Sequence, residues 1–327
     1  MDITVLQERA RIMKNIRRFF DDRNYLETDT PILAPNLIPE SCLEVFETAY
    51  IPPALSETRK KQSYFLTPSP EIWMKRLIAD HRVNMYQIGK CFRNGESVGR
   101  MHSPEFTMLE YYTMDADYED SLDITEELFA SLVPSTARKS ISPPFLRLTI
   151  EDAFRTYAGF SLFAAVEKGS LDMEARALGL NPPATIGTAA LYDLIFVHTV
   201  EPNLPRDTPV ALMDYPAFAP CLAKQNADGL TVARWELYVR GIELANCYSE
   251  ETNPEKVRAF FEKEAAAKAE HALVPHAVDP DYWNVFSPRK EQYPRCSGVA
   301  MGVDRLIMSL TGCSSIDSVL PFPMRYF

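Results

Sequence analysis

The sequence predicts an α+β fold built on a mainly antiparallel sheet. Strand-like runs come early in the chain, helical periodicity gathers towards its edges, and no regular alternation of strand and helix marks a parallel core. Each segment supports this assignment on its own terms. Ile12, Ile16, Phe19 and Phe20 recur at helical spacing, with Arg9, Arg11, Lys14, Arg17 and Arg18 on the other faces, so the chain opens on an amphipathic helix. Pro31 suits the start of an extended segment better than a helix interior. "LEVFETAYI" and "SYFLT" read as strands, and "SPEIWMKRLIA" opens a helix for which Ser69 is a candidate N-cap.

"VNMYQIGKCFR" and "EFTMLEYYTM" then form strands on either side of a glycine-bearing loop, "FRNGESVGRMHSPEF", and a helix is predicted from Asp120 to Val133. Residues 134–230 are rich in breakers, as in "PSTARKSISPPF" and "LNPPATIG", and read as an insertion of short helical pieces. "RWELYVRGIELANCY" is a strand pair turning at Gly241, a charged helix follows from Pro254 to about Glu270, and "CSGVAMGVDRLIMSLTG" is a strand running into a helix. Domain organisation is read as one catalytic domain over 1–327, completed by the 134–230 region.

Composition narrows the function. The chain has 327 residues, 46% hydrophobic and 24% charged, as in an ordinary globular protein. Its 45 acidic against 34 basic residues give a formal net charge of -11, which counts against a long polyanion such as tRNA as partner but not against a small nucleotide. No apolar run approaches the roughly 18 residues that span a bilayer, and the N-terminus lacks a signal peptide's apolar core. Six cysteines form no C-x-x-C pair. The reading is a reduced, cytoplasmic protein away from membranes.

Three stretches carry candidate chemistry. The loop beginning at Phe92 places Arg93, Arg100 and His102 together without a G-x-x-x-x-G-K-[ST] phosphate cradle. An arginine fork pairs two oxygens at once and so suits a phosphate or carboxylate. In "WELYVRGIELANCYSEE", Glu243, Asn246, Tyr248 and Glu250 nearly line one strand face, given an irregularity near Ala245, and Glu236 lies seven residues before Glu243 across the turn. Two carboxylates from adjacent strands suit Mg²⁺, which takes one or two carboxylates plus phosphate oxygens. A solvated acidic face accounts for the same residues. In "SGVAMGVDRL", Gly298 and Gly302 permit close approach of a flat group, though packing explains them equally, and Arg305 follows.

In this order the three stretches resemble the catalytic core of class II aminoacyl-tRNA synthetases, and within them the lysyl enzymes. "IRRFFDDRNYLETDTPIL" is similar to motif 1, "FRNGESVGRMHSPEFTMLEYY" to motif 2 and "GVAMGVDRLIM" to motif 3, while "TPSPEIWMKRL" and "GIELANCYSE" resemble the lysyl-specific stretches between them. The resemblance implies a six- to seven-stranded sheet flanked by helices and a homodimer formed through the motif 1 region. It implies that Arg93, Arg305 and Glu243 serve catalysis, and that ATP is held by Arg93, Asn94, Arg100, His102, Phe106, Glu243, Leu244, Gly302 and Arg305. Glu236 and Glu243 carry Mg²⁺ in this scheme. Ser69, Glu71, Glu110, Tyr112, Asn246, Tyr248, Glu250 and Ala300 then surround the amino acid, with carboxylates towards the distal ammonium. Gly95, Ser103 and Tyr248 depart from the residues usual in the family.

Motif 1 starts within about the first ten residues, which leaves no room before it for an anticodon-binding domain, so tRNA is not the expected acceptor. A lysyl-type core of this kind resembles the ligases that activate (R)-β-lysine as an adenylate and transfer it to a lysine ε-amino group of elongation factor P. Ala300 agrees with that comparison. Its methyl group intrudes where an α-amino group needs room, and one methyl is worth about 1–3 kcal/mol of discrimination. Other readings are a tRNA-lysylating enzyme with a separate partner, an aspartate-amidating ligase, which Glu110 and Glu250 disfavour, and an inactive regulatory paralogue, which the retained Arg93 and Arg305 disfavour.

Overall fold

In the computed structural model the described residues are 2–53, 61–133, 138–276, 278–279, 282–287 and 292–324. The chain opens with α1 (Ile3–Asp21), β1 (Leu26–Glu27), β2 (Leu33–Ala34), β3 (Phe46–Tyr50), β4 (Gln62–Leu66), α2 (Glu71–His81), β5 (Met85–Phe92) and β6 (Glu105–Met114). It continues with α3 (Tyr118–Leu132), β7 (Leu146–Thr149), α4 (Ile150–Ala153), α5 (Leu162–Glu167), α6 (Leu171–Ala177), α7 (Thr188–Ile195) and β8 (Val210–Pro216). The last elements are β9 (Thr231–Val239), β10 (Ile242–Ser249), α8 (Pro254–His271), β11 (Cys296–Gly302) and α9 (Val303–Thr311). Among the described residues no helix is long and apolar enough to cross a membrane.

The chain forms two compact units. The first comprises Met1–Asp115, Thr252–Cys296 and Ala300–Phe327, and the second Ala116–Glu251 with Ser297–Val299. In the first, α1 is amphipathic as its spacing predicts: Ile12, Ile16, Phe19 and Phe20 are all buried. Asp2 caps it, accepting from Thr4 N at 2.9 Å. Phe20 stacks on Tyr86 with centroids 4.8 Å apart and lies 4.9 Å from Tyr111, which joins the helix to the β5–β6 hairpin. That hairpin is antiparallel from Met85↔Tyr112 to Phe92↔Glu105, while β1 pairs with β5 in parallel. A smaller sheet of order β2-β4-β3 lies in the same unit.

One buried carboxylate ties three sequence-distant segments of the first unit. Asp304, in the first turn of α9, takes Arg9 Nη1 of α1 at 2.7 Å and Thr107 N of β6 at 2.7 Å. Arg9 also donates to Thr107 Oγ1 at 3.0 Å. Asp304 is 3% exposed, so this charge depends on those partners.

In the second unit β8, β9 and β10 run antiparallel in sequence order, and β7 joins β8 in parallel. Arg240 and Gly241, both at positive φ (58° and 76°), make the β9–β10 turn, the backbone demanded by a tight primed hairpin. A Cβ at Gly241 would meet Arg206 Nε at 3.0 Å, so a side chain there would strain the backbone and also require Arg206 to give way. Helices α4 to α7 pack a core around Phe154, Tyr192, Ile195 and Leu212. The helix α3 is closed by a capping box between Asp117 and Asp120.

The structure revises three readings. Ser69 is not the N-cap of α2: Pro70 holds that position and offers no side-chain cap. Residues 134–230 are more than helical filler, because they supply β7 and the fully paired β8; residues 134–137 lie outside the described set. Among the described residues the main sheet has eight strands, against six to seven, the surplus being the short edge strands β1 and β7.

Asp304→Ala is expected to cost about 3–5 kcal/mol in urea denaturation, because it strands Arg9 and an amide donor in the core. Arg11→Ala, which removes the exposed Glu8 pair, is expected to cost no more than about 1 kcal/mol. Equal losses from the two would refute the assignment of Asp304 as a structural tie.

Candidate functional site

The first unit presents the arginine loop at the open end of the β5–β6 hairpin. Arg93 N donates to Pro104 O at 2.9 Å and closes the loop at its base. The Arg93 guanidinium lies 5.3 Å from the Phe106 ring centroid, and its Nε is buried with no hydrogen-bond partner among the described residues. A buried guanidinium donor without an acceptor is an anion-binding feature. Asn94 serves the loop itself: Nδ2 donates to Val45 O at 3.2 Å and Oδ1 accepts from Gly95 N at 2.9 Å. Gly95 adopts φ 71°, beside Glu44.

Further along, Arg100 is exposed and donates to Ser314 O from Nε and Nη2 at 3.3 Å each. Arg305 Nε donates to Met101 O at 3.1 Å, so the second arginine grips the loop carrying His102. Burial first, then the charges of Arg305 and Arg93 against that of Glu96, hold the His102 imidazole below its ordinary value. His102 is therefore neutral at pH 7. Phe106 and Gly302 are half-buried, and Gly302 is the residue from which α9 starts. Ala300 is half-buried on β11.

Behind the loop the same unit gathers acids. Glu110 is 3% exposed and accepts from Tyr112 OH at 2.7 Å. Glu71 accepts from Lys75 Nζ at 2.6 Å, an i,i+4 pair on α2 in which Lys75 is fully buried. Ser69 is half-buried just ahead of this helix. The Cys91 thiol, buried and near Glu110, is pushed up to about 12 and carries no charge at neutral pH.

In the second unit the β9–β10 register explains how an irregular spacing becomes one face. Glu243 pairs with Tyr238, but Ala245 pairs with Leu237 and Asn246 with Glu236, so Leu244 is the extra residue of a β-bulge. The bulge shifts the alternation by one, and Arg234, Glu236, Tyr238, Glu243, Asn246 and Tyr248 share one side of the strand pair. Leu244 is itself buried. Glu236 receives Arg234 Nη2 at 2.5 Å and Tyr238 OH at 2.9 Å. Arg234 in turn lies 4.5 Å from the Tyr215 ring. Glu250, 3% exposed, bridges to Ala223 at the end of β10.

Among the described residues no group of three His, Cys, Asp or Glu forms a protein metal cage. The donor set fits Mg²⁺ in its other mode, because Glu236 and Glu243 offer oxygens on one strand face. Each oxygen of Glu236 keeps acceptor capacity beyond its one bond to Arg234 or Tyr238.

Four residues that the sequence reading did not single out shape these groups. Lys75 and Arg234 are partners of Glu71 and Glu236 at helical and strand spacing, a signal legible in hindsight. Arg9 and Asp304 are 295 residues apart, and nothing local connects them.

The chain is similar to known proteins over nearly its whole length. The family profile described as tRNA synthetases class II (D, K and N) matches residues 3–326. An elongation factor P–(R)-β-lysine ligase of Vibrio parahaemolyticus is 36% identical over 326 residues, covering 98% of this chain and 96% of its own. Ligases of the same description from Proteus mirabilis and Yersinia enterocolitica are 35% and 34% identical over 325 residues, each match covering 98% of this chain and 95% of theirs.

Proposed function

The chain belongs to the class II tRNA synthetase family of D, K and N enzymes, and we propose that it is an ATP-dependent ligase that activates (R)-β-lysine and transfers it to elongation factor P. The observation that carries this reading is 36% identity with such a ligase over 98% of the chain. The geometry supports it. Arg93 has a buried donor awaiting an anion, and Glu110 and Glu250 are buried acids of the kind that meet an ammonium.

The substrate carboxylate attacks the α-phosphorus of ATP in line, and pyrophosphate leaves. Arg93 receives the carboxylate and α-phosphate oxygens, Arg305 and the loop residues Arg100 and His102 the outer phosphates, and Phe106 offers its ring to adenine. These fixed donors stabilise charge as it develops on the phosphate. Neutral His102 donates without adding charge. In the second half-reaction the acceptor amine attacks the adenylate carbonyl carbon, the amide forms and AMP leaves. Glu236 and Glu243 would hold Mg²⁺, which supplies further neutralisation of phosphate charge. Ser69, Glu71, Tyr112, Asn246 and Tyr248 complete recognition of a lysine-type substrate. A homodimer through the α1 region belongs to this reading, and the exposed Leu26, Ile32 and Leu33 give that region an apolar surface.

Pyrophosphate exchange with (R)-β-lysine, α-lysine and aspartate, then transfer of labelled amino acid to elongation factor P with tRNA as control, tests the proposal. Exchange is expected to be fastest with (R)-β-lysine and transfer to occur on the factor. Exchange with none of the three would sink it. Glu250→Gln is expected to raise the amino-acid KM about tenfold or more with the ATP KM unchanged, as for loss of a charged hydrogen bond. An unaltered amino-acid KM would remove Glu250 from substrate recognition. Ala300→Gly is expected to shift the α- to β-lysine activity ratio towards α-lysine, within the roughly 10- to 200-fold that one methyl controls; a fixed ratio would refute the steric role.

A further inference from the structure

Glu40 lies between β2 and β3, outside every motif used above. Two buried charges of α8 fix its segment. Glu264 Oε2 accepts from Ser41 N at 3.0 Å and Ser41 Oγ at 2.6 Å, while Lys268 Nζ donates to the Glu40 carbonyl at 3.0 Å and to that of Leu43. Glu264 and Lys268 are only 8% and 4% exposed. A few residues on, the Glu44 carboxylate accepts from Leu273 N and Val274 N at 2.9 and 3.1 Å. The Glu44 carbonyl accepts from Asn94 N at 2.9 Å. The segment is thus held by α8 on one side and by the neighbour of Arg93 on the other.

The Glu40 carboxyl is left over. Among the described residues it makes no hydrogen bond or ion pair, although it stands among the charges of Glu71 and Lys75 from α2, Arg93 after β5 and Lys268 from α8. Glu71 is bonded to Lys75 and Lys268 to two carbonyls, whereas Arg93 Nε is buried without an acceptor. One half-buried acceptor and one buried donor therefore share a neighbourhood without bonding to each other. Polar groups left unmatched in this way call for a ligand carrying both signs of charge. The head of an amino acid is such a ligand.

We infer that Glu40 is a specificity-determining residue whose carboxylate, beside Glu71, receives the substrate ammonium group nearer the carboxylate that Arg93 binds. This deepens the proposed function and rests on it. Burial first, and the charge of Glu71 second, push the Glu40 carboxyl up to about 7, while Arg93, Lys268 and Lys75 pull it down. Cys42, in the same segment and near Glu264, is raised by burial and adds no charge near neutrality. An arriving ammonium favours the ionised carboxylate. Binding below pH 7 thus expels a proton from Glu40, and affinity rises as the pH passes from 6 to 8.

Calorimetric titration of the wild-type protein with (R)-β-lysine at pH 6, in two buffers of different ionisation enthalpy, should show net proton release that vanishes at pH 8. In pyrophosphate exchange, Glu40→Gln should raise the (R)-β-lysine KM about tenfold or more, leave the ATP KM within twofold and flatten the pH dependence of kcat/KM between 6 and 8. Glu40→Asp should restore part of the loss. Wild-type exchange without proton release, or a Glu40→Gln variant with the wild-type KM and pH profile, overturns the role of Glu40 and leaves the proposed function standing. A wild-type protein that exchanges with no lysine isomer overturns both.

Discussion

The first unit depends on a carboxylate that water does not reach. Asp304 is ion-paired with Arg9 and accepts from the Thr107 amide, and it sits in the first turn of α9, where the helix end favours a negative charge. Removing an ion from water costs several kcal/mol before partners recover it, so the pair defines a geometry more than it adds stability. The geometry matters because Arg305 is the next residue. Whatever fixes Asp304 fixes the stem of Arg305, and Arg305 in turn holds the Met101 carbonyl of the long loop. An interaction of motifs far apart in sequence thereby sets the position of a phosphate-binding candidate.

Elsewhere the protein keeps charges buried where a chain selected only for stability would place apolar groups. Glu110 is held by a tyrosine, Glu71 by a lysine wholly removed from solvent, and Glu236 by an arginine and a second tyrosine. Burial drives the Tyr238 phenol upwards, with the charge of Glu236 adding to it, so it remains a donor at any physiological pH. Each of these partners fixes a side chain's direction as well as its charge state. Rigid acids and bases on strands and helices are what a ligase needs to distinguish one diamino acid from another.

Much of this was legible in the sequence wherever a periodic pattern was long enough to read. The nineteen-residue α1 and the hairpin of β5 and β6 follow their apolar spacing, and the β9–β10 turn follows its glycine. The 134–230 region defeated the same method for physical reasons. Its helices run four to eight residues, too short to show a face, and β8 is a nearly continuous buried run whose partners are defined only in three dimensions. Ser69 misled because Pro70 takes the cap position without offering a side-chain acceptor. Of the site, the arginines and acids stood out by residue type and order, whereas their partners did not when separation was large, as for Arg9 and Asp304. Glu40 was invisible because nothing in its local sequence reveals which distant charges surround it.

The bulge at Leu244 has an evolutionary consequence. In a regular strand, deleting a residue moves everything beyond it to the opposite face. Here the strand already carries an extra residue, so losing Leu244 would restore plain alternation with Glu243, Asn246 and Tyr248 still on one side, whereas a deletion at Cys247 would turn Tyr248 to the other side of the sheet. A single-codon deletion at the bulge would therefore spare the face that one further along the strand would turn over. Length is thus free to drift at this one point of the strand, and descendants of this gene can shed the irregularity while keeping the face it carries.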